Sequence, residues 1–243
     1  MDLIIALVAA AVLAVCLRPL LMRHASIAYV AVVAIDLLFL SGALGSVLPD
    51  LQRELLPFLR KGLLPYALFA LVMYLGVLPE ASRVRRLLMP VRGQLSLVAA
   101  LLAACHVGSY APVYLGVALK GFGSAEATTI ASLCLAAVVL CLLIVLSVTS
   151  LVTVRHHMAG NVWRTVQKLA YPFFALATLH AVVLLLPASA TRPNAALSVS
   201  IYVGLLSCYA ILRIARWASS TYGNRTASAR SVDDGQQQSC VLP

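Results

Sequence analysis

Residues 93–119 pass without a single Asp, Glu, Lys or Arg, and residues 127–154 do the same. A helix of about 20 apolar residues crosses the roughly 30 Å hydrocarbon core of a bilayer. Runs of this kind recur along the chain, at 3–22, 26–48, 63–79, 94–117, 130–154, 169–187 and 195–212. Inside hydrocarbon every backbone N–H and C=O must be satisfied within the protein, so such runs form helices. The composition agrees: 62% of residues are hydrophobic, 11% are charged, and the mean hydropathy is +0.98, far from a soluble domain. The expected fold is an all-α integral membrane bundle of seven transmembrane helices. Only residues 213–243 look different, as a disordered polar cytoplasmic tail.

The basic residues orient the bundle. Thirteen of the 18 Lys and Arg lie in the connections around Arg18/Arg23, Arg83–Arg92 and Arg155–Lys168 and in the tail. The alternate side holds Arg53, Arg60, Lys61, Lys120 and Arg192. The positive-inside rule then places the N-terminus outside and the C-terminus in the cytoplasm of a bacterial plasma (inner) membrane. The first run begins Met1-Asp2 with no basic residue before it, the wrong charge order for a cleaved signal peptide. The net charge of +10 is concentrated in short loops beside spans, where topology and anionic lipid account for it, so nucleic acid is excluded as a partner. Cys16, Cys105, Cys134, Cys141 and Cys208 fall within spans without CxxC spacing and read as small apolar packers. Cys240 in the terminal CVLP only formally resembles a prenylation box.

Three ionisable residues remain deep inside the runs, Asp36, His106 and His180, and each is a functional candidate because its burial is expensive. His106 lies 12 residues past Gln94 and His180 lies 11 past Leu169, depths of about 18 and 16 Å at 1.5 Å per residue. Level imidazoles on two helices are the axial pair that a b-type haem requires. Ala99, Ala103 and Tyr110 share the face of His106, and Phe173 and Ala177 that of His180. The alternative is that each histidine is interhelical hydrogen-bonding glue. Asp36 is a candidate proton relay, or a protonated carboxyl hydrogen-bonded to a neighbouring helix.

Three stretches, RGQLSLVAALLAACHVGSY at 92–110, Thr149-Ser150, and WRTVQKLAYPFFALATLH at 163–180, resemble the ferric reductase-like transmembrane family. Within it, the likeness is greatest to the haem-binding membrane subunit of the bacterial periplasmic methionine sulfoxide reductase system. The resemblance covers 26–212 and leaves 1–25 as an extra N-terminal transmembrane helix. It implies haem b held at its iron by His106 and His180. Relatives with two haems carry a further histidine thirteen or fourteen residues earlier, where this chain has Gln167 and Arg92. Neither is a good iron ligand, so one haem is expected and an inner one is doubtful, with Arg92, Gln167 and Tyr110 left as inner-site or supporting residues.

The reading is a multi-pass membrane cytochrome b, the electron-transfer subunit of a membrane oxidoreductase. Its donor is a quinol or a cytoplasmic flavin and its acceptor an extracytoplasmic redox protein. The rivals are a haem-free scaffold or assembly subunit and a small-molecule permease. Lesser features are His24, His156 and His157 in basic loops, and Arg92, Arg164 and Lys168 as partners for lipid or flavin phosphate. Lys120 and Arg192 are candidate propionate partners, Ser109 a polar neighbour of the haem edge, Tyr171-Pro172 an expected bend, and GFGS at 121–124 an outer turn.

Overall fold

The structure is a computed structural model that describes residues 2–119 and 126–239, the segment 220–239 by its backbone alone. Lys120 and the GFGS turn lie outside the described residues, as does Cys240. Eleven α-helices and a short 3-10 turn make up the described residues, with no strand among them. Among the described residues five helices are long and apolar enough to cross a membrane, or six if one bent pair counts as a single span.

The first of them, α1 (Asp2–Leu40), merges the runs expected at 3–22 and 26–48, and its backbone leaves helical geometry at His24. Its two ends meet the same part of the molecule. Asp2 pairs with Lys61 at 3.9 Å, and Leu40 packs against Gly108, while Arg18 Nε reaches the carbonyl of Leu87 at 2.8 Å. Two short helices follow, α2 (Ala43–Val47) and α3 (Pro49–Leu59), the second with polar and apolar faces. The second run therefore stops at Leu40 rather than 48, because Ser41 and the left-handed Gly42 turn the chain. α3 leads at a 46° bend into α4 (Leu63–Leu75).

After α5 (Arg83–Leu88) and the 3-10 turn at Met89–Val91, α6 runs Arg92–Leu119 and α7 Ala127–Ser150. The basic connection folds as α8 (Val152–His157) and α9 (Gly160–Gln167) before α10 (Ala170–Ser189). Pro172 falls in the first turn of α10, where a missing N–H breaks no helical bond, so the expected bend is a helix start instead. The last helix, α11, is Pro193–Ser239. It carries the polar segment read as a disordered tail in helical form as far as Ser239, since extending a formed helix adds one bond per residue without a new nucleus.

Packing centres on α1, α4 and α6. Ala6, Ala10 and Ala14, each with no exposed surface, form a stripe of three alanines spaced four apart on α1 within a core that also holds Leu68, Val72, Leu75, Leu95 and Val98. Small residues let membrane helices approach closely, which is where their attraction arises. A second core joins α4, α10 and α11 through rings: Tyr66 meets Phe174 at 5.8 Å and Tyr202 at 4.7 Å, and Tyr209 meets Phe174 at 5.5 Å. Thr178 Oγ1 donates to the Phe174 carbonyl, so the Tyr66 hydroxyl donates to Thr178 across 3.0 Å. Of the span cysteines only Cys105 is buried, and the other four face outward, so they are surface residues and not packers. Ala10→Leu is expected to wedge α1 away from α4 and α6, costing about 1–3 kcal/mol and lowering Tm in detergent. Val12→Leu, on the exposed face of the same helix, should leave Tm unchanged.

Candidate functional site

His106 lies halfway along α6, where its Nδ1 is 2.7 Å from the carbonyl oxygen of Arg60. That carbonyl is available because Arg60 ends α3 at the bend into α4. His180, on α10, places Nδ1 3.0 Å from both the carbonyl and the hydroxyl of Ser132 on α7. A carbonyl oxygen only accepts, so in both rings the proton sits on Nδ1, and Nε2 keeps its lone pair. Such an anchor fixes tautomer and ring orientation in metal-binding histidines. The two imidazoles also lie near enough for the charge on one to be felt at the other.

The backbone beside His106 is shaped for it. Gly62 has φ of +71°, a conformation that L side chains rarely adopt, and a Cβ there would stand 3.1 Å from His106 Nδ1. Gly62 therefore satisfies both a left-handed turn and a close approach. The ring of Tyr110, one turn along α6, is 5.2 Å from that of His106, and the Arg60 guanidinium lies 5.6 Å from the Tyr110 ring centre. Ser109 is turned back onto its own helix, donating to the Cys105 carbonyl at 2.8 Å.

The other candidates separate into different places. Asp36 is buried, at 7% exposure, and its Oδ1 has no hydrogen-bond partner among the described residues. It lies within electrostatic range of Cys105, the residue before His106. Gln167 is engaged with the end of α7: its Nε2 donates to the hydroxyls of Thr149 at 3.2 Å and Ser150 at 3.4 Å. Trp163 Nε1 donates to the Thr149 carbonyl at 3.1 Å, so two of the three stretches that suggested a family meet in space. Arg92 is half-buried near Tyr171, Tyr209 and Arg213. His24, His156, His157, Arg164, Lys168 and Arg192 are all exposed.

Sequence reasoning missed Arg60, Gly62 and Ser132. The Arg60-Lys61-Gly62 run between two helical patterns signals a turn, but nothing in it announces which side chain its carbonyls receive. Ser132 is one small polar residue in an apolar helix, and its only visible signal is that it must find a partner there. Gly62→Ala is expected to destabilise the protein by about 1–3 kcal/mol and to shift the His106 ring resonances. Gly42→Ala, with φ of 75° but nothing within 4 Å of the added methyl, should cost less and leave His106 unmoved. Thermal unfolding and imidazole NMR of the two variants check this.

Comparison with known proteins finds a family that part of the chain resembles. Residues 61–178 match the family described as ferric reductase like transmembrane component. The matched segment contains Gly62, His106, Ser132 and Gln167, stops two residues before His180, and is narrower than the expected 26–212. An uncharacterized protein of Treponema pallidum (strain Nichols) is 30% identical over 220 residues, 88% of this chain and 60% of that protein. The chain thus spans about three-fifths of the length of this relative. No solved structure matches. The match bears out the likeness that the three stretches suggested as far as residue 178: this is a multi-pass membrane protein whose residues 61–178 are similar to the ferric reductase like transmembrane component.

Proposed function

We propose that this chain is a membrane electron-transfer subunit that holds one b-type haem through His106 and His180. The carrying observation is that both membrane histidines are pinned at Nδ1 by a backbone carbonyl, leaving Nε2 of each as a lone-pair donor. A neutral bis-imidazole donor set of this kind fits the group. When bound, the haem supplies one-electron chemistry at its iron. The protein's own residues do the rest: Arg60 and Ser132 orient the two ligands, and Gly62 gives His106 room. Tyr110 and the Arg60 guanidinium make the neighbouring wall.

On this reading the two halves of α1 are separate crossings joined at His24, consistent with Asp2 and Leu40 both approaching the His106 side while Arg18 reaches Leu87. With α3–α4 as one bent span, that gives seven crossings of a bacterial plasma membrane, the N-terminus outside and the polar tail in the cytoplasm. The donor is a quinol or a cytoplasmic flavin and the acceptor is extracytoplasmic, as in the haem-binding subunit of the periplasmic methionine sulfoxide reductase system that the sequence resembles. Asp36, buried with an unpartnered oxygen, is the residue assigned to accept a proton from quinol.

Protein purified from haem-replete cells should show a reducible b-type visible spectrum at about one haem per chain, the stoichiometry of a single bis-imidazole site. His106→Ala and His180→Ala should each abolish it, and Gln167→Ala should leave it intact. A colourless wild-type protein would overturn the proposal. Retention of the spectrum in either histidine variant would overturn the ligand assignment.

A further inference from the structure

Away from the histidine pair, at the end of the bundle where α5, the start of α6 and α11 gather, five arginines approach one another. Two of them share one carboxylate. Arg85 and Arg216 share Glu80, at 3.2 and 3.5 Å, and both also donate to the Leu78 carbonyl. Arg18 donates to Leu87. Arg92 and Arg213 differ: among the described residues neither has a carboxylate within ion-pair distance. Their surroundings are instead Tyr171, whose ring lies 4.9 Å from the Arg213 guanidinium, and Tyr209, which is within electrostatic range of both arginines. Gly76 faces the Arg92 guanidinium, which a Cβ there would approach to 3.9 Å.

Gly76 lies against Arg92 and its carbonyl receives Arg216 of α11 at 3.1 Å, so Arg213 and the half-buried Arg92 are brought to the same end of the bundle, where an anion between two guanidinium groups relieves their repulsion. Guanidinium forks bind phosphate bidentately, and phenol hydroxyls donate to the same oxygens. The site is open to the side of the bundle. Tyr171 is 39% exposed, and next to Arg213 the helix shows Ile211 and Ile214 at 67% and 64% exposure, an apolar track on which an acyl chain can lie. Basic recesses between transmembrane helices at the membrane surface take lipid headgroups.

We propose that Arg92 and Arg213, from α6 and α11, together clamp the phosphate of an anionic membrane lipid, with Tyr171 and Tyr209 completing the site. The Arg92 position is thereby assigned to lipid recognition, not iron ligation, and the site needs no haem. It separates from the proposed function, since lipid binding is read without the visible spectrum.

The test uses the full chain in detergent and follows Tm on adding phosphatidylglycerol, phosphatidylcholine of the same acyl chains, or glycerol 3-phosphate. A ligand bound only by the folded state raises Tm by mass action. Phosphatidylglycerol should raise Tm by several degrees, well beyond phosphatidylcholine, and glycerol 3-phosphate should not. The rise should be lost in both Arg92→Gln and Arg213→Gln and kept in Arg86→Gln, which removes the same charge from an exposed position of α5. Arg213 is exposed, so its variant folds even if the Arg92 variant does not. A rise that survives in Arg213→Gln, or equal stabilisation by phosphatidylcholine, would overturn the proposal. Equal stabilisation by glycerol 3-phosphate would assign the site to a soluble phosphate ester and overturn the lipid.

Discussion

A polar group in hydrocarbon has no water to fall back on, so each one inside the spans must find a partner within the protein. Hydroxyls meet this locally: Ser96, Ser109 and Thr178 each donate to a carbonyl one turn back on their own helix. Larger groups reach across helices, as Tyr74 does to the Leu205 carbonyl at 2.7 Å and Tyr66 to Thr178. The histidines obey the same rule, but an imidazole has two nitrogens, and one carbonyl satisfies only one of them. What pins His106 and His180 in place also leaves a lone pair unspent on each ring. Asp36 breaks the rule, with a buried oxygen that meets no partner among the described residues.

The packing shows why α1 belongs to the site although the family match starts at residue 61. Its alanine stripe lies in the same core as α4 and α6, and these helices carry Gly62 and His106. Asp2 holds Lys61, next to the carbonyl that receives the His106 proton. A displacement of α1 would therefore reach His106 both through α6, on which α1 packs, and through the α3–α4 bend.

Much of this was legible from residue types and little from residue pairings. His106 and His180 stand out because an ionisable group in an apolar run needs a reason to be there, and their matched depths follow from counting along two helices. The helix ends also read well, within a few residues at α6, α7 and α10. The partners did not read. A main-chain carbonyl has the same chemistry at every residue, so nothing distinguishes Arg60 until the 46° bend frees its oxygen. Arg92 and Arg213 lie far apart in the chain, on α6 and α11, and no local pattern links them. The amphipathic α3 was hidden because Pro49, Pro57 and its charges look like a loop when only long apolar runs are sought.

The fate of the two positions that would be histidines in two-haem relatives bears on the proposed donor. Gln167 is used as a hydrogen-bond donor to Thr149 and Ser150, which ties α9 to α7. Arg92 sits among tyrosines and a second arginine. Both are part of the polar rim and neither is a good ligand for iron, a glutamine amide being a weak donor and a guanidinium having no free lone pair. From Leu169 at that rim to His180 is 11 residues, about 16 Å of helix, and the intervening layer is filled by Phe173, Phe174, Tyr66 and Tyr209. A flavin confined to the cytoplasmic side would face that whole layer. A quinol diffuses within the bilayer and approaches the bundle from its side, at the depth of the histidines. If His106 and His180 hold the one haem, the absence of histidine at these two positions therefore favours a quinol as the donor, and Asp36 is within electrostatic range of Cys105, the residue before His106.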